Sequence, residues 1–267
     1  MGADIKSLRN RIKSVDSTLH LTKAMGLVAS SKIKKATENM IKGRQYSLAL
    51  EDAVKTLAQS SECKKSPYLK ANNSDKICLV VIAGDRGLAG GYNSNVFKMA
   101  GEEKNADIIP IGKRSVDKFG GDLFFDEGFK YEDALKISNK LCEDFKENKY
   151  KKIGIIYTKY ISMMTQTPSV KWILPLSFED KAKKTTAIFE PDEMTVLNSI
   201  ISEYTAGLIM SCVRESFTSE VVARRFAMDN AGKNATEMIG DLSIKYNRAR
   251  QGAITQEITE IVAGSGL

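Results

Sequence analysis

From Asp192-Glu193-Met194 to Ile261-Val262-Ala263 the chain carries no proline, and its apolar residues recur at helical spacing for most of that length. As one helix this stretch spans roughly 105 Å at 1.5 Å per residue, far beyond the usual helix of about three turns. A single globular core cannot cover such a rod, so a partner must. Leu197, Ile201, Tyr204 and Leu208 step by 4, 3 and 4, and Met228, Ala231, Ala235, Met238 and Leu242 by 3, 4, 3 and 4. Ala249 lies one heptad further on. This is the 3.5-residue period of a coiled-coil seam. Pro191 followed by Asp192 and Glu193 suits a helix start, where proline is tolerated and acids complement the dipole.

The other end of the chain has the same period. Ile5, Leu8, Ile12, Val15 and Leu19 form a heptad seam that continues through Thr22, Gly26, Ala29, Ile33, Ala36 and Met40. The seam narrows to small residues in mid-helix. Gly26 costs about 1 kcal/mol against alanine, and small seam residues let a partner approach closely. The helix fades near Ser60, before Lys64-Lys65-Ser66-Pro67. Two helices joined by a compact domain return antiparallel most simply, so the expected partner of the long helix is the N-terminal one. The two differ by about 15 residues, or about 22 Å, and the excess is expected to project as a single helix.

All five prolines lie between Pro67 and Pro191, which divides the chain into a helix (1–60), a mixed domain (61–191) and a second helix (192–267). In the middle, Ile77-Cys78-Leu79-Val80-Val81-Ile82-Ala83 is a continuously apolar run, as in a buried parallel strand. Gly84-Asp85-Arg86-Gly87-Leu88-Ala89-Gly90-Gly91-Tyr92-Asn93 follows as a glycine-rich turn, with Asn93 or Ser94 the expected cap of a helix reaching about Glu103. Further strands are expected at 107–111, 123–125, 153–161, 170–176 and 185–190, with helices at 113–119 and 131–148. The expected class is α/β: a mainly parallel, Rossmann-like sheet covered on both faces, attached to a long antiparallel coiled coil.

Composition excludes several classes. No run of about 18 apolar residues stands out, so no transmembrane helix is expected. The N-terminus lacks the apolar core of a signal peptide. Four widely spaced cysteines and one histidine, His20, make no zinc or disulfide pattern; Cys78 and Cys212 read as buried thiols. The net charge of +7 is uneven: residues 1–60 carry +6 and residues 192–267 carry −3. A basic arm suits nucleic acid, an anionic membrane or an acidic protein surface. The first helix has no aromatic residue among its basic positions as far as Gln45, which argues against stacking on bases.

The glycine turn is the one candidate for phosphate binding. Gly84, Gly87, Gly90 and Gly91 do not satisfy G-x-G-x-x-G, no G-x-x-x-x-G-K-[ST] exists, and Gly112-Lys113-Arg114-Ser115 lacks the upstream glycine. A tight strand-to-helix turn explains these residues as well. With one histidine there is no Ser/His/Asp or Cys/His set, and the carboxylates are scattered among lysines. The expectation is no catalytic residue, no metal and no cofactor.

Three blocks together resemble the gamma subunits of F-type ATP synthases. The first comprises Ile12-Lys13-Ser14-Val15, Leu21-Thr22-Lys23-Ala24-Met25 and Val28-Ala29-Ser30-Ser31-Lys32. The second is Asp85-Arg86-Gly87-Leu88-Ala89-Gly90-Gly91-Tyr92-Asn93. The third runs from Tyr246-Asn247-Arg248-Ala249-Arg250-Gln251-Gly252 through Ala253-Ile254-Thr255-Gln256-Glu257-Ile258 to Val262. The order helix, α/β domain, helix matches over essentially the whole chain.

The resemblance implies a non-catalytic rotor shaft in the central stalk, coupling ion flow through a membrane c-ring to conformational change at beta-subunit sites. It implies alpha, beta and epsilon subunits and the c-ring as partners, and no nucleic acid or direct small-molecule substrate. Met25, Arg250, Gln251, Thr255 and Glu257 match positions facing the alpha/beta hexamer, and Asp85, Arg86, Gly87, Gly90 and Gly91 match the signature loop. The implied location is the cytoplasmic face of a bacterial plasma membrane, as a peripheral protein. Gly26 replaces a longer polar residue usual in the family, and the two-cysteine insertion of chloroplast members has no counterpart. The alternative is a nucleotide- or phosphate-binding α/β enzyme with coiled-coil arms.

Overall fold

The structure, a computed structural model, describes residues 2–103, 105–124, 126–178 and 189–264, with side chains from Asp4 onward. Among the described residues five helices and four strands follow in order: α1 (Gly2–Ala58), β1 (Ile77–Ile82), α2 (Tyr92–Ala100), β2 (Ala106–Ile111), α3 (Lys113–Phe119), α4 (Tyr131–Lys146), β3 (Lys152–Tyr160), β4 (Gln166–Leu174) and α5 (Glu193–Gly264). Short 3-10 turns at Cys63–Lys65 and Pro67–Leu69 follow α1. The chain forms two compact units. One combines α1 up to Ser31 with α5 from Arg224 onward, and the other is Lys32–Ala223.

In the larger unit the sheet order is β2-β1-β3-β4. β1 pairs parallel with β2 and with β3, while β3 and β4 are antiparallel. Only residues 161–165 join β3 to β4, too few for a crossover, so the pair must be a hairpin. β1 is buried along its whole length, because helices cover both faces. Cys78, Val80 and Ile82 point to one side, where Leu141 and Phe145 of α4, Val54 and Leu57 of α1 and Leu197 to Val213 of α5 close the core. Leu79, Val81 and Ala83 point to the other, against Val96 and Ala100 of α2.

Two expectations in this region change, and a third is described only in part. Of the strand expected at 123–125, residue 125 lies outside the described residues and 123 and 124 are not in a strand; instead Gly112 N–H donates to the Phe124 carbonyl at 2.6 Å. The fourth strand starts at Gln166, not Val170, since Pro168 is tolerated on an edge strand. Of the strand expected at 185–190, residues 185–188 lie outside the described residues, and Phe189 and Glu190 are not in a strand.

Within this unit α5 is buried almost all round from Tyr204 to Val222. An 18-residue window of α5 is apolar enough by composition to cross a membrane, contrary to the expectation from the sequence, but 61% of that window is buried inside the protein. Its apolarity is accounted for by packing. Serines fix its position against the sheet. Beyond Ile156, the last β3 residue with a β1 partner, Thr158 N–H donates to Ser216 Oγ at 2.9 Å and Ser219 Oγ donates to the Thr158 carbonyl at 3.1 Å. Tyr92 hydroxyl donates to the Ser216 carbonyl at 3.1 Å. Arg44 Nη2 donates to Glu215 at 2.7 Å, and Glu215 also accepts Tyr160 N–H. All four cysteines are buried and free.

In the smaller unit α1 and α5 pack through the expected α1 seam. Leu19, Thr22, Gly26 and Ala29 are buried, and Ile5, Leu8, Ile12 and Val15 half-buried. The α5 seam keeps Met228, Ala235 and Leu242 but takes Ile239 rather than Met238, which is 44% exposed. Gly232 faces Leu19 and Thr22. Positions 3 and 4 residues on share one helix face, so the strict 3, 4, 3, 4 stepping that placed Met238 inward does not separate it from the adjacent Ile239. The half-buried positions continue through Tyr246 and Ala249 to Ala253, and every residue from Ile254 to Gly264 is exposed. The single-helix projection is therefore about 16 Å long, shorter than the length difference suggested.

Candidate functional site

The loop after β1 is a structural hub. Asp85 accepts N–H groups from Lys113 at 3.0 Å, Asp126 at 3.1 Å and Glu127 at 3.3 Å, which draws three segments together. Burial alone would push its carboxyl up. The hydrogen bonds from the Asp126 side chain and those three amides outweigh burial and hold it below the ordinary aspartate value. Asn93 is not a helix cap: its Oδ1 accepts Gly84 N–H at 2.9 Å and its Nδ2 donates to the Arg86 carbonyl at 3.3 Å. Gly91 caps α2 with no side-chain hydrogen bond.

This arrangement weighs against phosphate binding. The Gly84 amide is taken by Asn93, and the Tyr92 amide by the Ala89 carbonyl at 3.3 Å, so two donors that a phosphate cradle needs are already engaged. Gly90 has φ +60°, and Leu88 adopts φ +63° while its side chain is 63% exposed. A leucine held in the left-handed region at a loop tip costs of order 1–3 kcal/mol. Arg86 lies 3.8 Å from Glu127, which also pairs with Lys32 of α1. Gly87 and Gly91 border the loop beside Arg114 and Asn95. Among the described residues no cluster of three His, Cys, Asp or Glu is arranged to hold a metal ion.

The other expected contact residues lie in the smaller unit. Met25 is half-buried, and Leu21, Leu27 and Val28 beside it are exposed. Arg250, Gln251, Thr255 and Glu257 are all exposed. Sequence reasoning named these polar side chains and missed the apolar ones among them. Ile254, Ile258, Ile261 and Val262 are exposed at 4- and 3-residue steps on the projecting end of α5, where α1 offers no cover. The spacing was visible as a helical stripe, but its exposure followed only once the end of the seam was located. His20 is a surface residue 3.7 Å from Asp16.

Comparison with known proteins bears on both regions. The family model described as ATP synthase matches residues 4–266. The chain is 40% identical over 281 residues to the ATP synthase gamma chain of Ruminococcus albus, covering 98% of each. It is 40% identical to that of Mycoplasma mobile with the same coverage, and 35% identical over 283 residues to that of a Geobacter species, again with 98% of each covered. Among solved structures, a chain of the Euglena gracilis mitochondrial ATP synthase (OSCP/F1/c-ring, rotational state 3) superposes with a TM-score of 0.70 at 18% identity, covering 99% of this chain and 94% of that one. A chain of the Tetrahymena thermophila central stalk and c-ring gives 0.63 at 21% identity, with 79% and 99% covered. These likenesses show the same fold.

Proposed function

The chain belongs to the ATP synthase gamma-chain family, the central-stalk subunits of F-type ATP synthases, and we propose that it acts on its neighbours through the two exposed surfaces of its smaller unit. It is a subunit of a membrane-bound complex, and its own role is mechanical rather than catalytic. The surrounding head of alpha and beta subunits receives Met25 with its exposed leucines, and Arg250, Gln251, Thr255 and Glu257 interleaved with Ile254 and Ile258. The division at residues 60 and 191 separates the shaft from an α/β domain that carries epsilon and the c-ring, on the cytoplasmic face of a bacterial plasma membrane. The signature loop of Asp85, Arg86, Gly87, Gly90 and Gly91 braces that domain and presents Leu88.

The observation that carries this reading is the apolar stripe on the last turns of α5. Exposed apolar residues at helical spacing on a helix without an internal partner mark an interaction surface, and the polar residues between them suit a sleeve that slides rather than grips. The physics is a population shift. A beta site with open and closed states is biased only by the difference in contact energy that the shaft makes with each. The energy that turns the shaft is electrical, about 2.3 kcal/mol per charge per 100 mV.

The test is a truncation series assembled with alpha and beta subunits. Stopping the chain near Thr255 should weaken torque before it impairs assembly. Normal ATP-driven ion pumping by a complex that lacks everything from Tyr246 onward would overturn the reading. Submillimolar ATP binding to the isolated chain by calorimetry would instead support a nucleotide-binding enzyme.

A further inference from the structure

At the C-terminal end of β1, Asp126 lies against Asp85, and Glu220 against the neighbouring Gly84. Asp126 is 4% exposed and Glu220, from α5, is 2% exposed. Glu220 lies against the loop so closely that a Cβ on Gly84 would fall 2.5 Å from its Oε1. Asp85 is the acceptor of three backbone amides and is therefore the group that keeps its charge. Neither carboxylate oxygen of Asp126 receives a hydrogen bond. An ionised carboxylate so deeply buried and so poorly solvated is strongly disfavoured. The Asp126 side chain is, however, hydrogen-bonded to that of Asp85. Two carboxyl groups in hydrogen-bonding contact require a proton between them, and Asp126, the one without donors, must carry it.

We propose that Asp85 and Asp126 share a proton beside Glu220, that this proton latches Asp126 and Glu127 to the loop after β1, and that its loss as pH rises loosens the latch. The groups facing Asp126 are consistent with this. Asp85 comes from the loop and Glu220 from α5. Tyr92 of α2 turns its hydroxyl to the Ser216 carbonyl. Lys113 of α3 contributes its backbone amide to Asp85. Glu127 of the same segment is paired with Lys32 of α1 and Arg86 of the loop. Burial, then Glu220, then Asp85 push the Asp126 carboxyl well above its ordinary value.

The sign is fixed by linkage. Between the ordinary value of about 3.9 and its raised value, Asp126 binds more protons folded than unfolded. The opening constant of the latch therefore rises tenfold per pH unit in that window and is level above it. Asp85, held low, acts with the opposite sign and below about 3.9, so the two windows do not overlap.

The experiment uses the full chain with isotope-labelled aspartate. Infrared spectroscopy at about pH 6, roughly two units above the ordinary aspartate value, should show one protonated aspartic carbonyl that disappears in Asp126→Asn. Amide exchange of Lys113, Asp126 and Glu127 should show an opening constant that climbs up to tenfold per pH unit in the wild type. It should stay flat in Asp126→Asn, whose amide donates to Asp85 at every pH. A wild-type spectrum with every aspartate ionised at about pH 6, or the same slope in both proteins, would overturn the proposal. Should Asp126→Asn not fold, the wild-type carbonyl band and its loss at higher pH decide the matter alone.

Discussion

Gly26→Ala sets two opposing effects against each other, and the structure indicates which is larger. Gly26 is a buried seam residue far inside α1. Alanine is favoured there by about 1 kcal/mol in helix propensity. A Cβ at this position would lie 3.6 Å from Met228 Cβ and 3.9 Å from Asp229 Oδ1, both ordinary contacts, and 3.1 Å from Arg225 Nη1, which is tight. The methyl adds up to about 0.8 kcal/mol of burial. The crowded atom is the far end of a flexible, partly exposed side chain whose Nε pairs with Asp229 at 2.9 Å. Even complete loss of that pair costs about 0–1 kcal/mol. The net expectation is a stabilisation of about 0.5–1.5 kcal/mol. Urea unfolding should show a higher midpoint with an unchanged slope, and amides from Thr22 to Ala29 should exchange about 2- to 10-fold more slowly. A lower midpoint or faster exchange would mean that Arg225 is rigidly held, and would refute the assumption that the seam yields at this point.

At Gly112 the same substitution has the opposite effect. With φ +91°, its Cβ would fall 1.7 Å from the Ala83 carbonyl oxygen, so Gly112→Ala should cost about 3 kcal/mol or more in thermal or urea unfolding. Ser216→Ala leaves the buried Thr158 N–H without its acceptor and should lower stability by about 1–3 kcal/mol, while Ser216→Thr should restore part of it if the hydroxyl keeps its place. Asp85→Asn removes a charge-assisted acceptor for three amides and should cost about 1–3 kcal/mol at neutral pH. Because the folded value of Asp85 is depressed, its contribution is present above about pH 3.9 and lost as pH falls through the folded value. An acid titration of wild type against Asp85→Asn, followed by circular dichroism, should show the two curves converging at low pH.

The α1 seam was legible because period is a collective signal. Every residue from Ile5 to Met40 assigned to it is buried or half-buried, and no single substitution obscures a pattern carried by many positions. The same signal misplaced Met238 on α5, where the inward residues between the anchors are Gly232 and Ile239. A glycine contributes nothing to a hydropathy pattern even when it faces the partner. The β3–β4 hairpin was hidden for a related reason, since Ile161-Ser162-Met163-Met164-Thr165 contains none of the glycine or asparagine that usually marks a tight turn. The loop residues Asp85, Arg86, Gly87, Gly90 and Gly91 were found through resemblance, but the role of Asp85 as acceptor for three distant amides depends on tertiary contacts 28 to 42 residues away in sequence. Nothing local in the chain encodes that.

The buried carboxylates of α5 illustrate where sequence reading stops and why. Glu215 and Glu220 sit in the part of the helix that is buried nearly all round, on a chain where charge at helical spacing ordinarily means a solvated face. Glu215 is explained by its partners: Arg44 of α1 and the Tyr160 amide at the end of β3. It thus ties one shaft helix, through the other, to the sheet. Breaking such a pair by removing one partner leaves an uncompensated buried charge, which costs more than the pair contributes. Within this unit the two helices and the sheet are therefore joined by interactions that penalise partial separation.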